Sequence, residues 1–172
     1  KKKALNKIIG SEEKILKDSK KNIIFKIKKG KFLEPCPGTP SYICCGYYVL
    51  SPVENCPFEC TYCILQAYFK NKNIIVYSNI DHLLKELEEV KNKKIYRIGT
   101  GEFSDSLFLP VTQFYLEKLL NFFSKNEDIY LELKTKSDII PEIALNYPKK
   151  NLIFSFSLNS PVVTDKEEGK TA

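Results

Sequence analysis

Short apolar runs alternate along the chain with longer stretches in which apolar residues recur at helical spacing. The short runs are rich in β-branched and aromatic residues and have strand length: Ile23-Ile-Phe-Lys-Ile27, Tyr47-Tyr-Val-Leu50, Ile74-Ile-Val-Tyr77, Ile95-Tyr-Arg-Ile98, Ile129-Tyr-Leu-Glu-Leu133 and Leu152-Ile-Phe-Ser-Phe-Ser157. Between them, Leu83, Leu84, Leu87 and Val90 predict a helix that Asn79 or Asp81 caps. Val111, Phe114, Tyr115, Leu119 and Phe122 predict a second helix over 111–124, and shorter helices are expected near 61–70 and 138–145. The first 22 residues are lysine-rich and weakly amphipathic around Ile8, Ile9, Ile15 and Leu16, which reads as helix or a partly ordered lead-in. Gly30 ends the first strand, and Pro35-Cys-Pro-Gly-Thr-Pro40 is dense in turn residues.

Strands alternating with helices predict an α/β fold of right-handed βα units on a mainly parallel sheet, coiled into a barrel or open and doubly wound. We divide the chain into a lead-in over 1–40 and a partial (βα) barrel over 41–172, with four or five strands. In such barrels ligands sit at the carboxyl ends of the strands. The polar segments follow strands in that way: the loop after Leu50, Gly99-Thr-Gly-Glu102, Lys134-Thr-Lys136 and Ser157-Leu-Asn-Ser160. Four segments able to do chemistry are thus expected on one rim.

The first of these holds the most specific signal, Cys56, Cys60 and Cys63 in a C-x3-C-x2-C spacing. Pro57 removes a backbone donor and resists helix, so the stretch from Cys56 to Cys60 is expected to be an irregular loop around a ligand. Iron–sulfur clusters are held by cysteine thiolates, and three ligands on a four-iron cluster leave one iron open for chemistry. A structural zinc site is the alternative; it needs four ligands, and with His82 the single histidine the fourth would come from Cys36, Cys44 or Cys45. Disulfides belong to oxidising compartments and are not expected, since Lys1-Lys-Lys3 is followed by mixed polar residues without the apolar run of a signal peptide.

The bulk properties narrow the picture a little further. A chain of 172 residues, 43% hydrophobic and 28% charged, suits one soluble globular domain. No apolar run approaches the roughly 20 residues that span a bilayer, so a cytoplasmic protein is expected. The formal charge of +6 permits a nucleic-acid partner, but Arg97 is the single arginine among 27 basic residues. Lysine gives diffuse attraction without the bidentate fork that reads bases and phosphates. Methionine is absent throughout, and we read the chain as a piece of a longer protein whose last strand leaves an open edge.

Taken together, these residues resemble the radical S-adenosylmethionine (radical SAM) enzymes and, within them, the spore photoproduct lyase-like family of DNA repair proteins. Cys56-Pro-Phe-Glu-Cys60-Thr-Tyr-Cys63 carries the superfamily likeness. Ile64-Leu-Gln66, Gly101-Glu-Phe-Ser-Asp105, Thr135-Lys136 and Phe156-Ser-Leu-Asn-Ser160 carry the narrower one, with Pro35-Cys-Pro-Gly-Thr39 and Tyr42-Ile-Cys-Cys-Gly-Tyr47 resembling the branch outside the spore formers. The resemblance implies a [4Fe-4S] cluster on Cys56, Cys60 and Cys63, whose fourth iron chelates the amino and carboxylate groups of SAM. It implies reductive cleavage of SAM to a 5′-deoxyadenosyl radical, with a low-potential electron donor as partner and DNA as the substrate class. Gly99, Thr100, Gly101 and Glu102 match the segment that holds the SAM amino group, Ser104 and Asp105 a pair suited to that group or the ribose, Lys136 a carboxylate-binding lysine and Ser157 a further SAM contact.

Two departures separate this chain from the spore enzyme. Where that enzyme has a hydrogen-donating cysteine two residues before the Ser-Asp pair, this chain has Glu102, and a carboxylate does not give up a hydrogen atom as a thiol does. Where it has a tyrosine after the last cluster cysteine, this chain has Ile64, although Tyr62 is retained. Cys44 and Cys45 are candidates for a substitute donor, and Tyr62 is a third candidate catalytic residue. A radical SAM protein with a non-DNA substrate and a zinc-stabilised nucleic-acid-binding module are the other functional readings.

Overall fold

The structure is a computed structural model and describes residues 22–43, 45–92, 97–108 and 111–168. The expectations for residues 1–21, for Cys44 and for positions 95 and 96 lie outside the described residues. The strands are β1 (Ile23–Lys26), β2 (Leu33–Pro35), β3 (Tyr47–Leu50), β4 (Val53–Glu54), β5 (Ile74–Tyr77), β6 (Arg97–Gly99), β7 (Tyr130–Thr135) and β8 (Leu152–Phe156). The helices are α1 (Leu65–Tyr68), α2 (Ile80–Val90), α3 (Leu116–Ser124), α4 (Glu142–Leu145) and α5 (Pro161–Glu167), with a 3-10 turn over Thr112–Phe114.

The main sheet has the order β2-β3-β6-β7-β8, parallel throughout except for β2, which runs antiparallel to β3. This is the expected α/β architecture, an open stretch of parallel strands with no closed barrel among the described residues. One strand departs from expectation. Ile74–Tyr77 is a strand, but it lies in a second sheet of order β1-β5-β4, parallel to β1 and antiparallel to β4. The chain leaves β3 through Ser51 and Pro52 and turns back at once into β4, whose Val53 pairs with Val76. Apolar periodicity reports that β5 is buried; it does not say which sheet edge the strand joins.

The core joins Leu83 and Leu87 of α2, Leu116, Leu119 and Phe123 of α3, Ile98 of β6, Leu131 and Leu133 of β7 and Ile74 and Val76 of β5. Because side chains alternate along a strand, Glu132 and Lys134 of β7 face away from that core. On the face they occupy, buried Glu132 meets Arg97 at 3.5 Å and accepts from the Ser155 hydroxyl.

Four helices differ from their predicted form. Asn79 occupies the N-cap position of α2 without capping it; its side chain instead accepts from the Lys28 amide at 2.9 Å and donates to the Lys28 carbonyl at 3.1 Å. The helix expected over 111–124 breaks at Tyr115, whose hydroxyl donates to the Ser106 carbonyl at 3.0 Å. The helix expected near 61–70 shrinks to the single turn α1 and ends at an extended Phe69, whose ring meets Tyr68 and Phe103. Likewise α4 starts only after Pro141, later than the 138–145 predicted. Among the described residues no helix is long and apolar enough to cross a membrane.

Candidate cofactor site

The cysteine loop is braced before its first thiol. Asn55 adopts φ 68°, a conformation that asparagine tolerates better than most residues, and its amide reaches the carbonyls of Asn71 at 2.5 Å and Asn73 at 2.7 Å. The brace ties the entry of the loop to the entry of β5. From Cys60 the chain turns tightly, with the Cys63 amide on the Cys60 carbonyl at 3.0 Å, and Gln66 of α1 returns its side-chain amide to that same carbonyl at 2.7 Å. Pro57 and Phe58 keep the intervening stretch irregular, as the sequence predicts.

Cys56, Cys60 and Cys63 line one cavity together with Phe58, Tyr62 and Leu65 from the loop, Gly101, Ser104 and Asp105 from the segment after β6, Lys134, Thr135 and Lys136 at the end of β7, and Ser157 after β8. Four segments far apart in sequence thus meet: three at the carboxyl ends of the parallel strands β6, β7 and β8, and the cysteine loop that follows β4. Described cysteines, Cys36, Cys45, Cys56, Cys60 and Cys63, are all free thiols. Exposed Cys45 and half-buried Cys36 do not line the cavity. Burial pushes the Cys56 thiol up to about 12, and burial, then the Glu168 charge, raises that of Cys60. Both shifts favour the neutral thiol, so ligation of a metal as thiolate releases protons. Among the described residues no three His, Cys, Asp or Glu side chains converge on a single ion; thiolates that each take a different iron of a cluster do not have to.

The residues beside the thiols divide into those that are engaged and those that are not. Asp105 is engaged. Its Oδ1 accepts from the Leu107 amide at 2.9 Å and the Thr135 hydroxyl at 2.8 Å, and its Oδ2 from the Lys136 amide at 2.8 Å. Burial pushes this carboxyl above the ordinary aspartate value, although those donors pull the other way. Asp105 therefore pins the loop after β6 to the end of β7. Ser104 is the opposite case: its Oγ is buried and has no hydrogen-bond partner among the described residues. An unpartnered buried hydroxyl costs free energy unless something supplies the missing bond.

Gly99, Thr100 and Glu102 do not line the cavity. A Cβ on Gly99 would stand 1.6 Å from the Tyr47 hydroxyl, and one on Gly101 would stand 2.6 Å from the Lys134 Cβ, so both positions require glycine for close packing. Thr100 donates to the Ser106 hydroxyl at 2.8 Å. Glu102 accepts from Lys134 Nζ at 3.1 Å and lies beside the buried Tyr47 phenol, whose pKa is raised first by burial and then by Glu102 and Glu132.

Lys136 Nζ donates to the Ser157 carbonyl at 3.0 Å and pairs with Glu168 at 2.7 Å. Tyr62 is half-exposed, and its hydroxyl donates to Glu168. Glu168, Asn159 and the bracing role of Thr135 escaped the sequence reading. Thr135 stood in a quoted motif, but nothing local marks Glu168, whose partners lie as far as 106 residues away.

Solved structures of spore photoproduct lyase share this fold. A variant with bound AdoMet and dinucleoside spore photoproduct matches with a TM-score of 0.73 at 22% identity, over 87% of this chain and 44% of that one. A second variant with dinucleoside spore photoproduct matches with 0.73 at 21% identity, over 90% and 44%. The enzyme complexed with dinucleoside spore photoproduct matches with 0.71 at 20% identity, over 87% and 44%. The chain thus spans less than half the length of these structures. No family model matches the sequence, and no curated protein matches it. At this identity the likeness establishes the fold alone, an open part of a (βα) barrel shared with those structures.

Proposed function

We propose that this chain forms the cofactor-binding part of a radical SAM enzyme related to spore photoproduct lyase. The observation that carries the reading is the shared cavity. It sets three thiols on one loop opposite an unpartnered buried hydroxyl, Ser104 Oγ, and an ammonium, Lys136 Nζ. The donor set fits the two groups: soft thiolates suit an iron–sulfur cluster, while Ser104 and Lys136 suit the polar amino-acid end of S-adenosylmethionine. A cluster held by Cys56, Cys60 and Cys63 would supply one-electron reduction of the SAM sulfonium.

The protein's own part is to bind, orient and exclude water. Cys56, Cys60 and Cys63 hold the cluster; Ser104, Lys136 and Ser157 orient SAM; Phe58 and Leu65 keep the wall apolar. Asp105 and Thr135 hold the rim on which these groups stand. Glu102, at the position of the spore enzyme's donor thiol, is tied to Lys134 and leaves hydrogen donation to another group, Cys44 or Cys45 being the candidates. A lesion or modified base in DNA is the substrate class. It is supported by the neighbours' dinucleoside ligands, and the formal charge of +6 permits it.

Anaerobic reconstitution with iron and sulfide, then addition of SAM and a strong one-electron reductant, tests the reading. The expected product is 5′-deoxyadenosine, absent when Cys60→Ala is used. A cluster that forms while SAM stays intact would refute it, and stoichiometric zinc in place of iron would favour a structural metal module.

A further inference from the structure

Glu168 is a deeply buried acid, with 3% of its side chain exposed. Its Oε1 receives Lys136 Nζ at 2.7 Å, the Tyr62 hydroxyl and the Asn159 side-chain amide, which also donates to the Tyr62 oxygen at 2.9 Å. The neighbouring Glu167 continues the contact: its carbonyl accepts from the Thr61 amide at 2.9 Å, and its carboxylate accepts from the Thr61 hydroxyl. The end of α5 therefore grips Thr61 and Tyr62, the two residues between the second and third cysteines of the motif.

The placement of the acid decides its role. Tyr62, Lys136 and Ser157 line the cavity, whereas Glu168 and Asn159 do not. The carboxylate stands behind the lysine, outside the space a ligand takes, so it does not compete for that space. An ammonium has three N–H donors. Glu168 and the Ser157 carbonyl take two of them into the wall, and the Tyr62 hydroxyl, itself on the cavity lining, stands against the same ammonium.

We infer that Glu168 is a positioning residue that fixes Lys136 and Tyr62 together on the cavity wall, so that the ammonium is held in place for the carboxylate of a bound α-amino acid group; this rests on the reading of the cavity as a SAM site. A lysine on a free four-carbon stem loses rotamer freedom when it binds an anion. Holding it in place beforehand removes that cost at the moment of binding. Glu168 also lowers the local positive charge, which by itself disfavours an anion. The sulfonium of SAM keeps its positive charge when the amine and carboxylate bind iron, and a nearby acid favours that cation, while the ordering of Lys136 favours the carboxylate contact.

The test compares Glu168→Gln, Glu168→Asp and Glu167→Gln in the full 172-residue chain. The first removes the charge, the second restores it on a shorter arm, and the third loosens the Thr61 contact without touching Lys136. In metal-free protein, acylation of Lys136 read by peptide mass spectrometry, with Lys134 as internal reference, is expected to quicken several-fold in Glu168→Gln and to stay unchanged in Glu167→Gln. In reconstituted protein, Glu168→Gln is expected to bind SAM about tenfold more weakly, the scale of one lost charge-assisted contact, with unchanged cluster absorbance. Glu168→Asp should recover part of both effects. An unchanged acylation rate, SAM binding as tight as wild type or tighter, or no recovery in Glu168→Asp would overturn the inference. Wild-type protein that takes no SAM, alongside faster acylation in Glu168→Gln, would overturn the proposed function and leave Glu168 as the residue that holds Lys136.

Discussion

Asp105→Ala separates bracing from ligand binding at a residue that the family pattern marks as a SAM contact. The Asp105 carboxylate accepts three described hydrogen bonds, from the Leu107 and Lys136 amides and the Thr135 hydroxyl, at 2.8–2.9 Å, and the residue is 8% exposed. Truncation leaves these donors without an acceptor in a buried place, at about 1–3 kcal/mol for each one left unmade. Solvent entry and the relieved cost of burying a charge offset part of this, so a loss of about 3–4 kcal/mol is expected. Asp105→Asn keeps one oxygen for Leu107 and Thr135 but turns an N–H₂ toward the Lys136 amide, which places donor against donor; a loss of about 1–3 kcal/mol follows. Urea unfolding followed by circular dichroism, in protein without metal or SAM, gives both values from linear extrapolation. The pH dependence adds a sign. Burial raises the folded-state pKa above the ordinary 3.8, so the contribution of this group to stability falls as pH rises from that value through the folded one. Asp105→Asn lacks that fall. Stabilities of all three proteins within about 0.5 kcal/mol of one another, the range of inconsequential surface changes, would refute the bracing argument.

Three further outcomes follow from the same geometry. Ser104→Ala removes an unpartnered buried hydroxyl; it is expected to leave unfolding stability within about 0.5 kcal/mol of wild type or to raise it, while weakening SAM binding by about three- to tenfold in equilibrium dialysis. Equal SAM affinity would show that the hydroxyl does not meet the ligand. Gly101→Ala sets a Cβ 2.6 Å from the Lys134 Cβ, and a stability loss of about 1–3 kcal/mol, as for overpacked cores, is expected in thermal unfolding. For Glu168, burial works against ionisation, but the bonds from Lys136, Tyr62 and Asn159 outweigh it and bring the carboxyl down to about 2. Its contribution to stability is present above the ordinary 4.5 and is lost as pH falls from there toward 2. Glu168→Gln is expected to flatten stability across that window, and an acid profile identical to wild type would count against the pairing.

The chemistry of the site was more legible in the sequence than the paths between its parts. Cysteine spacing and strand-end polarity anticipated the shared cavity, because both follow from local rules: Pro57 breaks helix, and parallel strands present their carboxyl ends together. The second sheet was not legible, because a buried strand such as Ile74–Tyr77 reads the same whichever neighbour it pairs with. Helix lengths near 61–70 and 138–145 were overestimated where ring contacts between Tyr68, Phe69 and Phe103, and the restriction at Pro141, override local propensity. Gly99 looked like a place for a ligand to approach the backbone, yet Tyr47 already fills the space beside it, whereas Gly101 lines the cavity with Lys134 packed against it. Asp105 and Glu168 illustrate the remaining limit. A motif names the residue types at a rim, but which carboxylate faces the ligand and which stands behind a lysine depends on contacts made across the whole chain.

The most direct test of the central claim is the electron paramagnetic resonance spectrum of the anaerobically reconstituted, reduced chain before and after SAM is added. The account predicts one four-iron cluster per chain, lost in each of Cys56→Ala, Cys60→Ala and Cys63→Ala, with a spectrum that shifts when SAM binds. A chain that assembles no iron–sulfur cluster, or a cluster whose spectrum SAM leaves unchanged, would contradict it.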